Sequence, residues 1–171
     1  MNTKRRFFII ALAVIGLAYC LVHGYYNLSV YVLGVIGYVI WSQFREGTVY
    51  LATQSFHNQD YEKTKQLLAE IKNPDHLRKG RRNFYEFMQG NIALKENRID
   101  EAEVHFQLAS RLPWKKDYEK AMVLVNLANI NLRKKQYDRV EAYIEVAEKL
   151  KLTQRQQDIL NKIKIELKNN K

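Results

Sequence analysis

Two regimes of hydrophobic patterning divide this chain near residue 45. From Phe7 to Phe44 there is no Lys, Arg, Asp or Glu, and apolar residues follow one another with little interruption. Beyond that stretch, apolar positions recur at steps of three and four, the spacing that places them on one face of an α-helix. The arrangement itself then recurs. Ala52, Gly90 and Ala128 are in line, as are Tyr61, Ile99 and Tyr137, then Leu68, Phe106 and Ile144, then Ile71, Ala109 and Ala147, each set spaced by 38 residues. A fixed period of this size marks a stack of supersecondary units, each too small to bury its apolar face alone.

Each period predicts two helices. In the second unit, Phe84, Phe87, Met88, Ala93 and Leu94 define a first helix that Glu96-Asn97-Arg98 breaks; Ala102, Phe106 and Ala109 define a second, closed by Pro113. The third unit repeats this with Met122, Val125, Leu127, Ala128 and Leu132, then Val140, Ile144 and Ala147 after Lys135-Gln136. The first has Val49, Leu51, Ala52 and Phe56, a turn at Asn58-Gln59-Asp60, then Leu67, Leu68 and Ile71. Small residues at Gly90 and Ala128 fit helices that cross closely, with Ala102 or a neighbour on the facing helix. A final helix over 154–168, with Thr153 as its N-cap, carries Ile159, Leu160, Ile163 and Leu167 on one side and reads as a cap over the open end of the stack.

These residues resemble the tetratricopeptide repeat family, whose units are helix–turn–helix pairs of about 34 residues. The second unit matches best, with Gly90 at the small site of its first helix and Ala102, Phe106 and Ala109 on its second. Val140 and Thr64 depart from the family's preference for alanine at their site, and the four extra residues per period fall in the connections, as around Trp114 to Tyr118, or in longer first helices. The resemblance covers roughly residues 45–150. It implies that first helices line a groove, with Thr53, Asn91 and Asn129 as a polar row. Phe56, Phe84, Phe87, Leu94, Val125 and Leu132 would be the apolar wall, and Lys95 and Arg133 the basic edge. Such a trough suits an extended or helical segment bearing apolar anchors and acidic residues.

The uncharged stretch has to turn, because one helix from 7 to 44 far exceeds the ~30 Å hydrocarbon core of a bilayer. His23-Gly24-Tyr25-Tyr26-Asn27 offers the place, which predicts two short transmembrane helices, about 7–22 and 28–44. Lys4-Arg5-Arg6 before the first and Arg45 after the second put both ends in the cytoplasm by the positive-inside bias. The expected architecture is therefore all-α: a membrane anchor over 1–44, then a cytoplasmic tetratricopeptide-like α-solenoid over 45–171, of about three helix pairs and a capping helix. The expected location is the cell membrane, multi-pass. Leu17-Ala18-Tyr19-Cys20 resembles a lipoprotein cleavage box, but Tyr19 stands where a small residue is required.

Charge adds candidate partners. The protein carries 28 basic and 18 acidic residues, a formal net charge of +10. Arg78, Lys79, Arg81 and Arg82 form the sharpest basic cluster. An anionic lipid surface, nucleic acid and plain solvation are the three readings of it; the first and last outrank nucleic acid, because basic and acidic residues alternate along most helices. Catalysis is not expected. The four histidines are scattered, the single cysteine excludes an intramolecular disulfide, and Gly47, Gly80 and Gly90 form no phosphate-cradling loop, so neither a metal nor a cofactor is implied. The sequence thus points to a non-catalytic, membrane-anchored adaptor or assembly factor that takes a membrane-associated protein or peptide segment in its groove. A membrane-tethered nucleic-acid binder or a structural subunit of a membrane complex is the alternative.

Overall fold

The computed structural model describes Tyr19, Val22, His23 and residues 26–170, with the backbone alone at 26–28 and 39–46. The chain divides into two compact units, residues 1–48 and 49–171. The described residues are all-α: α1 (Tyr26–His57), α2 (Tyr61–Ala69), a 3-10 turn (Pro74–His76), α3 (Lys79–Lys95), α4 (Ile99–Arg111), α5 (Asp117–Arg133), α6 (Tyr137–Glu148) and α7 (Gln154–Asn170).

The expected membrane hairpin is not what the structure supports. Among the described residues no helix is long and apolar enough to cross a membrane. The first expected span, 7–22, lies outside the described residues apart from Tyr19 and Val22. The second, 28–44, is an internal part of α1, which runs unbroken through Arg45, Glu46 and Gly47 to His57. Its apolar run, Leu28 to Trp41, lies between Asn27 and Ser42-Gln43. At 1.5 Å per residue it spans only about 21 Å, short of a ~30 Å core. The two-span anchor, the multi-pass membrane location with its cytoplasmic orientation, and the membrane-anchored adaptor built on them are all corrected on this ground. Gly47 also fails as the expected break, since a lone helical glycine costs only about 1 kcal/mol relative to alanine.

Within residues 49–171 the 38-residue period governs the backbone. Gln59, Asn97 and Lys135 have left-handed φ values of 61°, 59° and 56°. At each, the next amide reaches back to close the preceding helix: Asp60 N–H to Ser55 O (3.0 Å), Arg98 N–H to Ala93 O (2.8 Å) and Gln136 N–H to Asn131 O (2.9 Å). The left-handed residues donate in turn to Phe56, Leu94 and Leu132. This pair of bonds is the Schellman closure of a helix C-terminus. The following helices then begin at Tyr61, Ile99 and Tyr137. Two of the three left-handed positions hold residues that strain there, so Gln59→Gly and Lys135→Gly are each expected to stabilise the protein by about 0.5–1 kcal/mol. Asn97→Gly should gain less, because asparagine tolerates this conformation. Equilibrium urea denaturation of the three variants checks the ranking; equal or unfavourable shifts at Gln59 and Lys135 would contradict it.

Packing follows chain order. α3 packs most extensively on α4, α5 on α6, and α4 in turn on α5. Gly90 on α3 meets the ring of Phe106 on α4, where a Cβ would lie 2.9 Å from Cζ. Phe106 and Leu127 anchor a core with Ala93, Ala102, Ala109, Val123 and Ile130, while Val49, Ala52, Leu68, Tyr85 and Met88 form another. Ion pairs join successive units at equivalent positions with reversed polarity: Lys65 to Glu96 (2.5 Å), and Glu103 to Lys134 (2.7 Å). The buried Glu103 also receives bonds from Asn131 and Arg139. The buried Glu86 is bound by Arg82 Nε at 2.8 Å and lies 2.7 Å from His105 Nδ1.

The last helix departs from the period. Thr153 and Gln156 make a capping box: Gln156 Oε1 accepts from Thr153 N–H (2.9 Å), and Thr153 Oγ1 from Gln156 N–H (3.4 Å). Gln156 Nε2 then donates to Tyr118 O at 2.7 Å, tying the start of α7 to α5. Leu160, Ile163 and Leu167 join a core with Val125 and Leu132 of α5 and with Val140 and Ile144 of α6.

Candidate binding face

Two recesses lie within residues 49–171. The first is a cleft of about 330 Å³ walled by aromatic and methionine side chains: Phe56 from α1, Phe84, Phe87 and Met88 from α3, Trp114 from the α4–α5 connection, Tyr118 and Met122 from α5. Thr53, His57, Lys116, Glu119 and Gln156 supply its polar atoms. The rings support one another edge to face. Trp114 lies 5.2 Å from Phe84 and 6.3 Å from Phe87 between centroids, and Phe87 lies 5.9 Å from Phe56, which touches Tyr61 at 5.6 Å. Trp114 Nε1 donates to Ala109 O at 2.8 Å, which fixes the indole plane. Such clusters hold their geometry because the quadrupoles of offset rings attract. Lys116 Nζ donates to the Tyr118 hydroxyl at 2.8 Å, a bond that raises the lysine's pKa.

The second recess, of about 350 Å³, is polar and basic: Tyr61, Asn91, Leu94, Lys95, Asn129, Ile130 and Arg133 line it, and no carboxylate does. Lys95 Nζ stands 3.6 Å from the centroid of the Tyr61 ring, a cation–π contact. Arg133 is exposed and forms no ion pair among the described residues. The Phe56–Tyr61 contact and Asn91 Nδ2, which donates to Phe87 O at 2.7 Å, link the two recesses.

Nine of the eleven residues expected to line a groove fall on these recesses. Thr53, Phe56, Phe84 and Phe87 border the cleft, and Asn91, Leu94, Lys95, Asn129 and Arg133 the basic recess. The continuous trough itself is not present. Val125 and Leu132 are buried beneath α7, and the expected polar row is largely turned inward. Thr53 Oγ1 donates to Val49 O at 2.8 Å, and Asn91 donates to its own helix. Both hydrogen bonds satisfy a local carbonyl four residues earlier, an option open to short polar side chains in any helix. The sequence reading omitted Trp114, Tyr118, Met88, Tyr61 and Gln156. Its one signal for them was the excess length around Trp114–Tyr118, which proves to build a wall of the cleft.

The basic cluster is partly neutralised. Arg82 bonds Asp75 and Glu86, and its hydrogen bond and charge hold the Asp75 carboxyl below the usual carboxylate range. The Arg81 guanidinium lies 6.0 Å over Tyr50, while Arg78 precedes the first turn of α3 and Lys79 is exposed. Among the described residues, no three His, Cys, Asp or Glu side chains gather in a geometry that could hold a metal ion. Comparison with known proteins finds no match: no family model fits the chain, and no curated protein and no solved structure is significantly similar to it.

Proposed function

We propose that residues 49–171 are a non-catalytic recognition module that binds a protein segment carrying apolar anchors and acidic residues. The observation behind this reading is the junction of two unlike recesses: an aromatic and methionine cleft beside a basic, amide-lined recess without a carboxylate. Aromatic and methionine walls accept varied apolar side chains, while Lys95 and Arg133 select for negative charge and speed encounter. Membership of the tetratricopeptide family belongs to the same proposal, supported by the three identical Schellman turns 38 residues apart.

Selection of random displayed peptides on the full chain tests it. The expected consensus has large apolar residues with Asp or Glu. Its affinity should fall about thirtyfold in Phe87→Ala, as for a buried interface anchor. It should fall at least about tenfold in Arg133→Glu, with a marked salt dependence. Enrichment of basic or wholly polar peptides, or indifference to both substitutions, would reject the reading.

A further inference from the structure

The departure of α7 from the repeat carries information about what the open face accepts. In register, α7 stands where the first helix of a fourth unit belongs, since Gln156 lies 38 residues after Tyr118. In α5, the side chains facing the preceding unit are Val123, Leu127 and Ile130, all buried with Phe106. Their α7 counterparts are Asn161, Ile165 and Lys168, and all three are exposed, Ile165 by 62 %. The stripe that α7 buries instead is Leu160, Ile163 and Leu167. Counterparts of that stripe on α3 are Phe84, Phe87 and Asn91, which border the two open recesses.

The surface receiving this stripe is equally telling. Val125 and Leu132, beneath α7, are the counterparts of Phe87 and Leu94 in the open recesses. α7 packs on α5 more than on α6, the reverse of how α5 treats its own predecessors. The helix is therefore turned onto the face of α5 that corresponds to the open face of α3. Its first turn, through Gln156, also forms one edge of the aromatic cleft. Covered and open stretches are thus continuous.

We propose that the open stretch over Phe87 and Leu94 accepts an amphipathic α-helix from a partner, much as Val125 and Leu132 accept α7. The proposal rests on the segment-binding reading above and adds the conformation of the segment and its pattern. The partner helix presents apolar residues at i, i+3 and i+7, the spacing of Leu160, Ile163 and Leu167, with acidic residues beside them. α7 itself carries Arg155, Lys162, Lys164 and Lys168. It suits its own site but not a recess edged by Lys95 and Arg133, where like charges repel.

The test uses a fluorescent peptide of residues 154–170 in which Arg155, Lys162, Lys164 and Lys168 are replaced by glutamate, titrated against the full chain and followed by anisotropy. Saturable binding is expected, about tenfold weaker for the peptide with its natural basic residues, and lost when the acidic peptide carries Ile163→Pro, which breaks the helix. Phe87→Ala in the protein should weaken binding at least about tenfold, with circular dichroism showing that the variant stays folded. Equal binding of the proline peptide would overturn the helical occupant while leaving the segment-binding reading intact. Failure of the acidic peptide, where display-selected segments bind through Phe87, would do the same. Binding indifferent to Phe87→Ala would place the helix on another surface and overturn the proposal. If neither designed nor selected peptides bind, both readings fall together.

Discussion

Replacing Gly90 with leucine should destabilise residues 49–171 by about 3 kcal/mol or more, enough to empty the folded state of a marginal domain. A Cβ at this position would sit 2.9, 3.0 and 3.1 Å from Cζ, Cε1 and Cδ1 of Phe106. That ring cannot step aside, because it is completely buried in a core with Ala102, Ala109 and Leu127 and is backed by Phe87 at 6.0 Å between centroids. Gly90→Ala is the finer test. In an open helix the change would gain about 1 kcal/mol of helix propensity, whereas the crowding here costs about 1–3 kcal/mol. The variant should therefore be less stable than the parent, and Phe106→Leu should recover part of the loss when combined with it. The combined effect must be non-additive, since the two residues touch. A Gly90→Ala protein more stable than the parent in urea would show that α3 and α4 are not held this close.

Ile163→Asp is expected to release α7, with an apparent loss of about 3–5 kcal/mol from its docked state. Ile163 is buried between α5 and α6 with Leu160 and Leu167, and no cation in that core could pair a carboxylate. α7 is also the last helix, so its detachment leaves the cores around Phe106 and Leu68 intact. Hydrogen exchange should then report loss of protection over residues 154–170 with the amides of α3 and α4 unchanged, the behaviour of a separate cooperative unit. Uniform loss of protection throughout residues 49–171 would show instead that α7 is integral to the whole. Trp114 adds a readout, because Gln156 borders the same cleft. Release of α7 should shift its emission towards that of a more hydrated indole.

The repeat was legible because it is written twice over in the chain. Small residues recur where helices approach, as at Gly90 and Ala102, and polar tripeptides such as Glu96-Asn97-Arg98 recur where they end. Both are local requirements of backbone geometry and packing, so single positions reveal them. Candidate site residues were legible only as members of a helix face. Phe87 and Arg133 were found because they share a register, whereas Trp114 and Tyr118, in or beside a connection, share one with nothing. The membrane hairpin misled for the opposite reason. Uncharged composition says where charge is absent, but the spanning length depends on how far a helix stays apolar, and Asn27, Ser42 and Gln43 shorten that run.

Sequence by itself determined the all-α class, the period, the positions of the turns and the apolar stripe of the last helix, because each follows from spacing along the chain. Tertiary structure alone decided which of those stripes meet. The residues Val125 and Leu132 carry the same pattern as Phe87 and Leu94, yet the first pair is covered by α7 and the second pair borders open recesses. The difference arises from the rotation of α7, which exposes Ile165 and buries Ile163. Periodicity cannot specify that rotation, since it records which residues share a face and not which neighbour the face will find.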